Sequence, residues 1–178
     1  MCIFVIQEES TGINVRSYWP SVVASGAMLL ATDALSIERT LGSYMLSVCD
    51  LSKSQLAEFA YLQGSAELLL KFAKTYDAYA GKLLDQRIFD TWLQLNVTNL
   101  RAMILNKDFF EKCSNLTEAQ RTELTLKWAE YVQLYILTVD ELRGSFVIPS
   151  ILQVIIIRYR YHSLQVIILL SAVCDQTA

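Results

Sequence analysis

The sequence predicts an all-α protein, an antiparallel bundle of about four long helices followed by an apolar C-terminal tail. Three observations lead there. The two prolines, Pro20 and Pro149, bracket a long stretch whose only helix breakers are scattered glycines. Two capping-box signatures, Ser52 with Gln55 and Thr117 with Gln120, mark helix starts inside that stretch. Apolar residues recur at alternating steps of three and four, which gathers them on one helical face. The chain divides on this basis into an N-terminal segment 1–16, a helical domain 17–144 and a tail 145–178.

The first helix is expected from Ser21 to Cys49, with Pro20 at its start and Val22, Val23, Met28, Leu30, Leu35 and Leu41 among its apolar positions. Asp50 to Ser52 interrupts it, and the Ser52 capping box starts a second helix. In that helix Phe59, Leu62, Ala66, Leu69, Ala73, Tyr76 and Ala80 form a single stripe, the clearest periodicity present. Large and small residues alternate along it, so a facing helix could approach closely at the three alanines. The stripe is the candidate interaction surface. Gly81 offers a break, and Leu84, Ile88, Phe89, Trp92, Leu95, Leu100, Met103 and Ile104 support a third helix ending at Asn106. Asn106 to Asp108 reads as a loop, with Phe109 and Phe110 folding back onto the core. The fourth helix follows Thr117, carries Leu124, Trp128, Tyr131, Tyr135 and Leu142 on one face, and stops at Gly144. Short connections make consecutive helices antiparallel neighbours.

After Gly144 the pattern changes. Leu152-Gln153-Val154-Ile155-Ile156 recurs as Leu164-Gln165-Val166-Ile167-Ile168, two runs rich in branched aliphatics. Such runs suit strands, and a hairpin turning near Arg158 to Ser163 competes with a buried helix and with an alternative C-terminus never selected for packing.

Composition narrows function. Apolar residues make up 53% of the chain, which predicts surface hidden in a protein partner, a homo-oligomer or a membrane. With 15 basic against 18 acidic residues there is no excess positive charge for a phosphate backbone, so nucleic acid is not an expected partner. Cys2, Cys49, Cys113 and Cys174 follow no metal-ligand spacing and read as free thiols. Met1 to Gln7 lacks a basic region before its apolar run and does not read as a secretory signal. An intracellular location follows, cytoplasmic or membrane-associated. On that reading the sequons Asn96-Val97-Thr98 and Asn115-Leu116-Thr117 are chance matches.

Ser17 to Thr32 is uncharged, but extension to Ile37 brings in Asp33, so residues 17–37 fit a buried helix better than a membrane span. In the tail Arg158 and Arg160 favour attachment at a headgroup layer over a crossing. Chemistry has little support. His162 is the single histidine, which removes paired-imidazole metal sites, and no phosphate-cradling glycine motif occurs. No cofactor or metal is expected. Arg158-Tyr159-Arg160-Tyr161-His162 reads as an edge strand before a base-stacking platform, and Asp85, Asp90, Asp140 and Glu141 read as solvated carboxylates paired locally with Arg87 and Arg143. Trp92, Trp128, Tyr131 and Tyr135 could line an apolar pocket, but aromatics at helical spacing are ordinarily core. The expected function is therefore a noncatalytic helical interaction or scaffolding module. A membrane-associated protein held by residues 17–37 or the tail is the first alternative, and a carrier or enzyme with an apolar ligand inside the bundle the second.

Overall fold

The computed structural model describes residues 19–49 and 52–145, and all of its regular structure is helical. Helix α1 spans Trp19–Val48, α2 Lys53–Tyr76 and α3 Ala78–Leu84. A π-helical turn, Asp85–Phe89, leads toward α4, Trp92–Leu105, and α5, Lys107–Cys113. Helix α6 covers residues 118–145. The segment 1–16, residues Ser17 and Tyr18, the tail repeat and Arg158 to His162 lie outside the described residues.

Both capping boxes form. Ser52 Oγ accepts from the Gln55 amide at 3.2 Å while Gln55 Oε1 accepts from the Ser52 amide at 3.1 Å. Thr117 and Gln120 exchange the same pair of bonds at 3.3 and 2.9 Å. Each box satisfies amides that a helix start leaves without intrahelical acceptors.

The break after α2 falls at Asp77 rather than at Gly81. Asp77 adopts an extended conformation and its Oδ1 accepts from the amides of Tyr79 and Ala80, capping α3. Its Oδ2 accepts from Ser21 Oγ at 2.6 Å, which ties the end of α2 to the start of α1. Gly81 instead serves packing. A Cβ there would lie 2.7 Å from the Lys74 carbonyl oxygen, so only glycine lets α3 come this close to α2.

The third expected helix is also interrupted. The Asp90 amide bonds back five residues to the Asp85 carbonyl, closing the π turn, and Thr91 then restarts the chain as the cap of α4. Asn106, expected in a loop, caps α5 through its side chain on the Asp108 amide at 2.9 Å. Short polar side chains that accept a following amide favour turns and helix starts equally, which is why composition alone reads this point as loop. Phe110 is buried and Phe109 partly so, their rings meeting edge to face at 5.2 Å, as the sequence predicts.

The core is built on α1 and α2, which pack extensively against each other, and on α6. Ala24, Met28, Ala31, Leu35, Met45 and Leu46 face inward from α1, against Phe59, Ala66, Leu70 and Ala73 of α2. Helix α6 contributes Trp128, Val132, Tyr135, Ile136, Val139 and Leu142.

The free-thiol reading is corrected for Cys49 and Cys113, while Cys2 and Cys174 lie outside the described residues. Cys49, just after α1, and Cys113, at the end of α5, form a disulfide across 64 residues of chain, with Cα atoms 5.5 Å apart. Spacing in sequence carries no signal for this pair, because only the folded chain brings the two ends together. Cys49 sits in the left-handed region at φ 54°, a geometry unfavourable for a residue with a Cβ. Replacing both cysteines by serine is expected to reduce unfolding free energy by about 2–4 kcal/mol, since the open chain regains loop entropy when unfolded. A denaturant titration of the two forms checks this, and equal midpoints would exclude a stabilising cross-link.

Candidate functional site

Two features concentrate the unusual chemistry, one buried and one exposed. The buried one joins α1 to α4. Glu38 is fully buried and Arg101 nearly so, and they meet as a two-pronged ion pair, Nε to Oε1 and Nη2 to Oε2, both at 2.7 Å. Burial pushes the Glu38 carboxyl above its ordinary value, although the hydrogen bonds and charge of Arg101 pull it back. Burial also works against the Arg101 charge, but the bonds and charge of Glu38 outweigh it and hold the guanidinium protonated. Tyr135 of α6 belongs to the same electrostatic group, and burial pushes its phenol above the ordinary tyrosine range.

That tyrosine gives an alkaline prediction. A folded-state pKa above the unfolded value means the folded protein holds the proton longer, so the contribution is intact below about pH 10 and is lost as pH rises further. Tyr135→Phe should flatten the decline of the urea midpoint between pH 9.5 and 11, to a degree set by this one group. An unchanged slope would show that Tyr135 does not titrate with unfolding.

Glu38, Arg101 and Tyr135 do not line the one cleft described below. The four aromatics expected to line an apolar pocket are dispersed over the core and its edge. Trp128 is fully buried, its ring 5.6 Å from Phe59 and its Nε1 donating to the Arg39 carbonyl at 2.9 Å. Tyr135 is buried about two turns further along α6, while Trp92 is 59% exposed and meets the half-buried Tyr131 edge to face at 6.0 Å. A shallow cleft of about 330 Å³ does exist elsewhere, lined by Ser47, Glu118, Arg121, Thr122, Thr125 and Leu126, so it contains none of those aromatics. Among the described residues no group of three His, Cys, Asp or Glu side chains gathers in metal-binding geometry.

The predicted stripe on α2 is placed mostly inside. Phe59, Leu62, Ala66 and Ala73 are buried, Ala80 is buried on α3, Leu69 is partly covered, and Leu70 rather than Leu69 is the deeper leucine. Tyr76 stands 42% exposed at the end of α2, stacked on Phe72 at 5.3 Å. The approach of a facing helix at the small residues is thus supplied by the chain itself. Of the carboxylates, Asp140 pairs locally with Arg143 at 3.2 Å, but Arg87 reaches across to Glu141 at 3.2 Å and Asp85 pairs with Lys74. The π turn redirects Asp85 and Arg87 outward while keeping Ile88 in the core.

The exposed feature is the outer face of α1. Leu30, Ile37 and Tyr44 recur every seven residues and are each at least half exposed, continued by Trp19 and Val22 at one end and Val48 at the other. Gly26, Asp33 and Thr40, also exposed, alternate with them. A stripe this long, on a helix of roughly 45 Å, exceeds the isolated apolar residues that any surface carries. Composition could not single it out, because Val22 and Leu30 read in sequence like the core residues Met28 and Leu35. The 30-residue α1 is also long and apolar enough, by those measures alone, to cross a membrane.

Comparison of the chain with protein-family models, with curated proteins and with solved structures finds no match.

Proposed function

We propose that this protein is a noncatalytic helical interaction module that associates with a second copy of itself through the outer face of α1. The carrying observation is the exposed seam of Leu30, Ile37 and Tyr44 at spacings of seven, the repeat of one of the two knob positions in a heptad, with Gly26, Asp33 and Thr40 at the other. Open space around Gly26 would let a partner backbone come close. A two-fold pairing of the same face needs no second species and closes without leaving a free edge.

Behind this face we infer an antiparallel arrangement of four stems: α1, α2, the run from α3 to α5, and α6. Its supports are Ser21 beside Asp77, Trp128 beside Arg39, and Arg87 beside Glu141. In that arrangement the inner face of α1 is committed to the core, so its outer face is what remains for a partner.

The same commitment weighs against α1 as a membrane span. Insertion would withdraw Met28, Leu35 and Leu46 from their neighbours, separate Glu38 from Arg101, and put Asp33 in hydrocarbon at roughly 2.5–3.5 kcal/mol near a helix centre. An apolar-ligand carrier has less support, since Trp128 and Tyr135 already fill core space.

Sedimentation velocity over a dilution series tests the proposal. The wild-type chain should sediment as a dimer that dissociates on dilution, and Leu30→Glu with Ile37→Glu should give a monomer of unchanged helical content. A wild-type monomer across the range, or a dimer indifferent to the two glutamates, would refute it.

A further inference from the structure

We propose that Asn115 is an N-glycosylation site and that the protein matures in an oxidising secretory compartment, an inference independent of self-association through α1. Two grounds make both sequons chance matches, free thiols and the absence of a secretory signal in Met1 to Gln7, and the fold replaces the first of them. The described cysteines instead form the Cys49–Cys113 disulfide, and such cross-links form and persist where the environment is oxidising. Once that premise is replaced, the sequons have to be judged by where they lie.

They lie differently. Asn115 is exposed in the turn between α5 and α6, its amide bonded to the Lys112 carbonyl at 3.0 Å, with Leu116 tucked against the core and Thr117 exposed as the cap of α6. A bulky, hydrated substituent there projects into water and displaces no packing, as glycosylated surface loops require. Asn96 is inside α4, half-buried, its Nδ2 donating to the Trp92 carbonyl at 2.8 Å, and the next residue, Val97, is fully buried. Asn115 is followed by Leu116 and Thr117, with Glu118 beyond, so no proline blocks recognition.

The chemistry requires a lipid-pyrophosphate-linked oligosaccharide as donor. The Asn115 side-chain nitrogen forms a bond to the anomeric carbon, the bond from that carbon to the pyrophosphate oxygen breaks, the lipid pyrophosphate leaves, and the nitrogen gives up one proton. The disulfide forms separately, Cys49 and Cys113 losing two protons and two electrons to a disulfide of an oxidoreductase.

The full chain, expressed in cultured animal cells, tests both parts. A mass increment removable by peptide-N-glycosidase is expected, lost in Asn115→Gln and kept in Thr117→Ser, which preserves both sequon and helix cap. In the same material Cys49 and Cys113 should resist maleimide until reduced. No glycosidase-sensitive increment, an increment that Asn115→Gln retains, or free thiols at both positions in the glycosylated material would each overturn the proposal.

Discussion

Arg101→Met is expected to lower the unfolding free energy by about 3–5 kcal/mol, because it leaves Glu38 charged, buried and without its partner. The two-pronged geometry at 2.7 Å satisfies both carboxylate oxygens, and the mutation takes both bonds from a fully buried group. The converse experiment separates the pair's net worth from the cost of breaking it. Glu38→Leu combined with Arg101→Met should be far less destabilised than Arg101→Met alone, and a well-packed apolar replacement can equal or exceed the wild type by about 1–4 kcal/mol. The pH dependence has a definite sign. With Arg101 gone, the Glu38 pKa in the folded state rises further, so the folded protein binds a proton more readily than the unfolded one. Stability of Arg101→Met is then greatest below the ordinary carboxylate range and falls as pH rises through the elevated value. Chemical denaturation of all three variants at pH 4.5 and 7 measures this. A single variant as stable as the double at pH 7 would exclude a buried charge at position 38.

That pair also shows where reading the sequence stops. The all-helical class was legible, because capping boxes at Ser52 and Thr117 are local: each side chain meets an amide three residues away. The inward faces of α2 and α6 were legible from periodicity, which specifies a face without reference to any other helix. Glu38 was not. A glutamate among apolar and polar neighbours on α1 reads as solvent-exposed, and only the crossing of α4 brings Arg101, 63 residues on, to within bonding distance. The Cys49–Cys113 cross-link was hidden for the same reason. Gly81 and Asn106 were misread because close approach and capping use the residues that otherwise mark breaks and loops. The outer seam of α1 failed differently: on a helix apolar on two sides, periodicity does not say which side the rest of the chain covers. That distinction bears on function, since the covered α2 stripe holds the fold together while the uncovered α1 seam is the one able to meet a partner.

Trp128→Ala should cost about 3–5 kcal/mol, comparable with loss of the ion pair but by a different route. The indole is fully enclosed, it packs on Phe59, and its Nε1 donates to the Arg39 carbonyl, so truncation removes a large apolar surface and leaves a backbone acceptor without that bond. Gly42 supplies an internal control. A Cβ at position 42 would lie 2.5–2.8 Å from atoms of the indole, and a rigid buried ring cannot move aside as the end of a flexible side chain could. Gly42→Ala should therefore destabilise by about 1–3 kcal/mol through overpacking, although alanine favours a helix interior over glycine. In the Trp128→Ala background the clash has gone and the helical preference remains, so Gly42→Ala should there be neutral or stabilising. The coupling between the two positions, read from urea midpoints of the four proteins in a mutant cycle, is expected to be at least about 1 kcal/mol. Additive effects would mean that α1 and α6 do not meet through this glycine and this ring, and would remove the contact that holds the seam of α1 facing outward.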